Sequence, residues 1–96
     1  MPAYVIGRMK IHQRDWMDEY FSKVPAVIES HGGRFLVRGG NPRTLEGQES
    51  LPDAAFILEF PSREAALGFW NSAQFAPLIN LRQTGSQLEA MLVDGV

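Results

Sequence analysis

The run Arg34-Phe35-Leu36-Val37-Arg38 lies between two glycine pairs, Gly32-Gly33 and Gly39-Gly40, and this stretch decides the fold. Glycine tolerates positive φ, so the first pair predicts the end of a helix and the second predicts a turn after a strand. Because side chains alternate across a strand, we predict Phe35 and Val37 on one face and both arginines with Leu36 on the other. Neither pair fits G-x-G-x-x-G or G-x-x-x-x-G-K, so no dinucleotide or phosphate loop is predicted.

Hydrophobic periodicity on both sides of this run predicts three more strands and two helical regions. In chain order, the predicted elements are a strand over 3–12, a helix from its N-cap Asp15 to Ser30 or His31, the strand at 34–38, a strand over 54–60, a helix after the N-cap Ser62, a helical segment from Pro77 to Arg82, and a strand over 87–93. The polar segment 41–53 is predicted to be a long loop with a short extra strand at 44–46. The order β-α-β-β-α-β predicts one α+β, ferredoxin-like domain over residues 1–96, with an antiparallel four-stranded sheet and both helical layers on one face.

The composition excludes several kinds of site and partner for this chain. Ninety-six residues support one domain, and the absence of cysteine excludes disulfides, thiol catalysis and zinc-thiolate sites. A reducing compartment is then the simplest location, so we expect a cytoplasmic protein without a secretory or membrane segment. The net charge is −2, and the seven arginines and two lysines are scattered among eleven acidic residues, which makes nucleic acid an unfavourable partner.

The sheet face that the helices leave uncovered is predicted to be half apolar. Strand parity assigns to this face Tyr4, Ile6, Arg8, Leu36, Arg38, Ile57, Glu59, Glu89, Met91 and Val93. So large an apolar patch is unusual on a soluble monomer. We therefore predict a homodimer stacked sheet to sheet, with the charged side chains enclosed between the subunits.

Several separated motifs resemble one bacterial family of small proteins that is labelled only as a domain of unknown function. They are Ala3-Tyr4, Gly32-Gly33-Arg34, Arg38-Gly39-Gly40, Leu45-Glu46-Gly47, Glu59-Phe60-Pro61-Ser62 and Arg82. That family is similar to the dimeric α/β-barrel superfamily, which includes cofactor-independent antibiotic-biosynthesis monooxygenases, muconolactone isomerase, NIPSNAP proteins and stress-responsive barrel proteins. The resemblance implies a ferredoxin-like dimer that holds a small ligand between sheet and helices, and it implies no particular reaction.

Candidate site residues each have a structural interpretation as well. Glu59 and His12 are the candidates to move a proton. The candidate ligand-binding residues are Tyr4, Arg8, Arg38, Trp70 and Arg82, the last retained because of the family resemblance. Arg38 could bind an anionic group or pair with Glu59, and the aromatic residues Trp16, Tyr20, Phe69 and Trp70 could wall a ligand or fill the core. No metal site and no cofactor are predicted, since the two histidines have no partner ligands at recognisable spacing.

Three functions are compatible with these residues. The first is a small-molecule-binding protein, with cofactor-independent monooxygenase or isomerase-like chemistry on an aromatic or acidic metabolite. The second is a non-catalytic ligand carrier or stress-associated dimer that uses the same space. The third, a nucleic-acid reader, shares the topology but lacks the aromatic stacking signature on its strands, so it is the weakest.

Overall fold

The computed structural model describes all 96 residues as four strands and three helices. The elements are β1 (Ala3–Ile11), α1 (Met17–Ser30), β2 (Arg34–Gly39), β3 (Ala54–Phe60), α2 (Arg63–Trp70), α3 (Ala76–Gln83) and β4 (Ser86–Asp94). The strands form one sheet in the order β2-β3-β1-β4, and every neighbouring pair is antiparallel. The predicted α+β, ferredoxin-like fold is confirmed, and no helix has the length and apolar character needed to cross a membrane.

Helix α1 ends as the first glycine pair predicts. Gly32 has φ of +79°, its N–H donates to the Glu29 carbonyl, and the Gly33 N–H donates to the Ile28 carbonyl. These two bonds form a Schellman motif, which needs the left-handed residue that glycine supplies at least cost. Gly33 also lies so close to the ring of Phe60 that a β-carbon there would overlap it. The glycine pair therefore both ends the helix and lets β2 begin against β3.

The start of α1 differs from the prediction, whereas the starts of α2 and α3 agree with it. Trp16, not Asp15, occupies the N-cap position, and no side chain caps that end. Trp16 is buried and its indole Nε1 donates to the Gln13 carbonyl, so core packing determines where the helix begins. Ser62 caps α2 by accepting a hydrogen bond from the Ala65 N–H, and Pro77 lies in the first turn of α3.

A β-bulge in β2 overturns the alternation that we predicted for this strand. Phe35 lies opposite Leu58, but Val37 lies opposite Ile57, so Leu36 is an extra residue in β2. An extra residue reverses the faces of everything after it. Arg38 consequently lies opposite Phe56 on the helix side of the sheet, and Val37 lies on the other side; the predicted faces of both were wrong.

The core lies between the helices and one face of the sheet. Its buried side chains include Val5 and Met9 from β1, Leu58 from β3, Val24 from α1 and Phe69 from α2. The other face, here called the open face, carries no helix. Segment 41–53 forms no extra strand, contrary to the prediction, and is tied to β1 at its end, where the Asp53 N–H donates to the Met9 carbonyl and the Asp53 carboxylate accepts from the Ile11 N–H.

Candidate functional site

A small cavity lies between the helices and the sheet, and we call it the sheet–helix cavity. Its volume is about 40 Å³, and its walls are almost wholly apolar. The aromatic side chains that line it are Tyr20, Phe21, Phe35, Phe56, Phe69, Trp70 and Phe75. These rings contact each other: Phe69 and Phe75 stack with centroids 4.3 Å apart, and Phe21 and Phe56 stack at 6.3 Å. Such walls suit a flat apolar molecule.

Arg82 is the one charged residue in this wall. Helix α3 carries it on the face that packs inward, and only 3% of the residue is exposed. It forms no salt bridge, and its Nε has no hydrogen-bond partner. A guanidinium remains charged at any ordinary pH, and withdrawing an unpaired charge from water costs several kcal/mol. A buried cation without a counter-charge is the feature expected of a site that receives an anion.

Tyr20 is the second polar group of the cavity. It comes from the inward face of α1, it is 7% exposed, and its ring meets those of Trp16 and Phe21 edge to face. Burial raises the pKa of the Tyr20 hydroxyl, and the positive charge of Arg82 and a hydrogen bond with its guanidinium oppose part of that rise. The hydroxyl therefore stays protonated and can donate a hydrogen bond close to the guanidinium. The sequence pattern placed Tyr20 only among wall or core residues, because helical spacing cannot show which residue of another helix lies beside it.

On the open face, Glu59 forms the centre of a hydrogen-bonded group. Tyr4 Oη donates to Glu59 Oε2 over 3.1 Å, and Arg34 Nε donates to Glu59 Oε1 over 2.9 Å. The hydrogen bond to Glu59 is the main cause that raises the pKa of Tyr4. The partner of Glu59 is thus Arg34, and the ion pair considered between Arg38 and Glu59 does not form. Both carboxylate oxygens are occupied by side chains of the same sheet.

The other candidate residues lie apart from one another. Arg8 is on the open face, where it binds Glu49 Oε2 at 3.0 Å and the Ser50 carbonyl at 2.9 Å, while Lys10 binds the Leu51 carbonyl, so both hold segment 41–53. Arg38 is on the helix side with its guanidinium carbon 5.3 Å from the Phe21 ring centroid and 5.6 Å from that of Phe35. The expectation that Arg8, Arg38 and Glu59 share one enclosed space was wrong for Arg38, because the bulge turns it to the other face.

His12 is exposed at the end of β1, and it does not line the sheet–helix cavity. Its backbone N–H donates to the Gly85 carbonyl, which is a structural contact. Of the five predicted ligand-binding residues, Trp70 and Arg82 are the two that line the cavity. No three His, Asp or Glu side chains lie close enough together to hold a metal ion.

The fold is ferredoxin-like, and comparison with solved structures supports that assignment. A protein of unknown function from Rhodopseudomonas palustris superposes with a TM-score of 0.81 at 18% identity, over 99% of this chain and 82% of that one. SnoaB, a cofactor-independent oxygenase from Streptomyces nogalater, gives a TM-score of 0.66 at 14% identity, over 99% of this chain and 93% of that one. A dimeric ferredoxin-like protein of unknown function from Jannaschia sp. gives 0.65 at 9% identity, over 99% and 100%. At these identities the likeness establishes the fold alone.

A match of the sequence to a family profile identifies the family of this chain. The chain belongs to DUF1330, a domain of unknown function, whose profile matches residues 2–96. This confirms the resemblance to a family of unknown function that the glycine and arginine motifs indicated. No curated protein sequence matches the chain.

Proposed function

We propose that this protein binds a small organic anion whose charged group enters the sheet–helix cavity, and that Arg82 supplies the counter-charge. The observation that carries the proposal is the 3% exposure of Arg82 together with an Nε that has no partner. A carboxylate, phenolate or enolate at this point would satisfy the guanidinium with a charge-assisted hydrogen bond. The aromatic rings around it would contact the apolar body of the ligand.

Such a site is compatible with two functions. One is a carrier that only binds. The other is cofactor-independent chemistry, which is favoured by the neutral Tyr20 hydroxyl beside the Arg82 guanidinium, since two adjacent donors stabilise an oxyanion that develops on a bound substrate. The likeness to SnoaB supports only the fold for either use. Glu59 and His12, the earlier candidates for proton transfer, do not line this cavity.

A homodimer is part of the proposal. The open face carries Ile6, Val37, Ile57 and Val93 half-buried, and Met91 is 60% exposed. A second copy stacked on this face would remove these side chains from water and bury on the order of 1,500 Å² in total. The Arg34–Glu59 pair would then lie within the interface. The subunits would meet on the side of the sheet opposite to the Arg82 cavity.

Calorimetric titration with matched acids and amides tests the binding proposal. We expect benzoate and 2-naphthoate to bind about 10–100-fold more tightly than benzamide and 2-naphthamide, because a hydrogen bond to a charged group contributes about 1.5–3 kcal/mol. Arg82→Met should abolish this preference and Arg82→Lys should keep part of it. Arg43→Met, which removes an equal charge from the exposed segment 41–53, is the control and should bind as the wild type does. Equal binding of acid and amide, or undiminished binding by Arg82→Met, would exclude the proposed site.

A further inference from the structure

A second space adjoins the sheet–helix cavity at the edge of the molecule. It is a groove of about 190 Å³ between α2 and the edge strand β4, here called the edge groove. All the side chains that line it are apolar: Val5, Ala66, Leu67, Trp70, Ala90, Met91 and Leu92. Leu67, on α2 away from the open face, is 46% exposed, so this groove keeps apolar surface in water. No charged or polar side chain lines the groove.

Three residues line both spaces, namely Val5, Trp70 and Ala90. Val5 and Ala90 are small and lie on the paired strands β1 and β4, where the backbone holds them in place. Trp70 is the only large side chain of the three. It is the last residue of α2, it is half-buried, and its ring meets Phe69 and Phe75 only edge to face, at 6.4 and 5.3 Å between centroids. A rotation of this one indole would join the two spaces.

The sheet–helix cavity alone is too small for an organic ligand. A cavity of about 40 Å³ has room for a few water molecules, whereas sites for organic ligands usually measure about 300–1,000 Å³. A ligand whose anionic group reaches Arg82 therefore needs additional volume. The edge groove provides about 190 Å³ of it, directly behind Trp70 and lined only by apolar groups.

The other opening next to the cavity is closed by two rings instead of one. It lies near Arg38 and is separated from the cavity by Phe21 and Phe56, which line both spaces. These two rings stack on each other, and the Arg38 guanidinium lies over the Phe21 ring. Moving either ring would break this stacked arrangement, and Arg14, Arg38 and Asp53 make the lining of that opening unsuited to an apolar tail.

We infer that Trp70 is the gate of the binding site and that the ligand is amphipathic, with its anionic group at Arg82 and an apolar tail in the edge groove. This inference rests on the proposed function and adds to it the ligand class and the residue that controls entry. In this arrangement the edge groove selects the length of the apolar tail, and Arg82 selects the charge of the head group. Trp70 is a specificity-determining residue in this arrangement, because its indole must move before the tail and the head occupy one continuous channel.

Titration of the wild type with straight-chain carboxylates from butanoate to decanoate, alongside benzoate, tests the inference. Each CH₂ that enters the groove should tighten binding by about fourfold until the groove is filled. Leu67→Asp, which places a charge in the groove wall, should remove this dependence on length. Leu45→Asp is the matched control on the exposed loop, since Leu45 is 95% exposed and lines neither space.

Stopped-flow binding of 2-naphthoate tests the gate itself. Trp70→Ala should raise the association rate constant by about tenfold or more, and Trp70→Phe, which preserves an aromatic wall, should raise it less. If benzoate binds through Arg82 but chain length, Leu67→Asp and Trp70→Ala have no effect, the gate is excluded and the proposed function stands. If Phe21→Ala instead of Trp70→Ala accelerates binding, the ligand enters beside Arg38. If no carboxylate binds, both the inference and the proposed function fail.

Discussion

Arg34 and Glu59 lie directly opposite each other on β2 and β3, and Arg34 Nε donates to Glu59 Oε1 over 2.9 Å. The bulge at Leu36 lies between Arg34 and Arg38 and gives the two arginines opposite faces. Arg34 meets the carboxylate on the open face, and Arg38 meets aromatic rings on the helix side. One extra residue therefore separates two arginines that simple alternation would place together.

A double-mutant cycle on this pair should give a small coupling energy. The Arg34 side chain is 69% exposed and that of Glu59 is 26% exposed, so water screens their attraction. We expect Arg34→Met, Glu59→Gln and the double mutant to report about 0.2–1 kcal/mol of coupling in urea unfolding of the dissociated protein at low concentration. A coupling of 3 kcal/mol or more would instead require the pair to be buried.

Removing the charge of Arg82 should stabilise the ligand-free protein. Replacing a buried guanidinium that has no counter-charge, and whose Nε has no partner, by the apolar Met side chain eliminates its desolvation cost, about 1–3 kcal/mol for the unsatisfied Nε–H. The free energy of unfolding of Arg82→Met should therefore rise, whereas truncating the neighbouring core residue Leu78 to alanine should lower it by about 2–5 kcal/mol. A clear loss of stability in Arg82→Met would mean that the arginine has a structural role.

The fold could be predicted from the sequence because its signals are local. The paired glycines, the Ser62 cap and Pro77 each determine a helix end through the backbone of a few neighbouring residues. The site could be predicted only in part, since the bulge in β2 leaves no mark in the alternation of residues 34–38. The meeting of Tyr20 with Arg82 likewise depends on how α1 packs beside α3, which periodicity along one helix does not determine.

Alkaline pH should destabilise the protein partly through Tyr20. Burial raises the pKa of its hydroxyl in the folded state, so the unfolded chain releases the proton first. The stabilisation is complete below the unfolded pKa of about 10 and is lost as pH rises through the folded value, by at most about 1.4 kcal/mol per pH unit. Unfolding free energies measured from pH 8 upwards should fall less steeply for Tyr20→Phe than for the wild type. Parallel pH curves would show that Tyr20 does not contribute.

Placing a charge on the open face should separate the proposed dimer. Ile57 lies on β3 between Ile6 of β1 and Val37 of β2, its Cα partners in the sheet. Ile57→Asp would bury an unpaired carboxylate in the interface, so we expect monomers by sedimentation velocity at micromolar concentration where the wild type is a dimer. Leu67→Asp, on α2 away from the open face, should remain a dimer. A wild type that sediments as a folded monomer would contradict this assembly.

The proposed contact between Arg82 and the anionic group of a ligand can be observed through the NMR signal of the Arg82 Nε–H group. That signal can be assigned by its loss in Arg82→Lys and followed while 2-naphthoate or 2-naphthamide is added to the wild type. Because the Nε has no partner in the free protein, we predict that the acid shifts its proton downfield and slows its exchange with water, and that the amide does neither. An unshifted Arg82 signal at concentrations where the acid is bound would contradict the proposed contact.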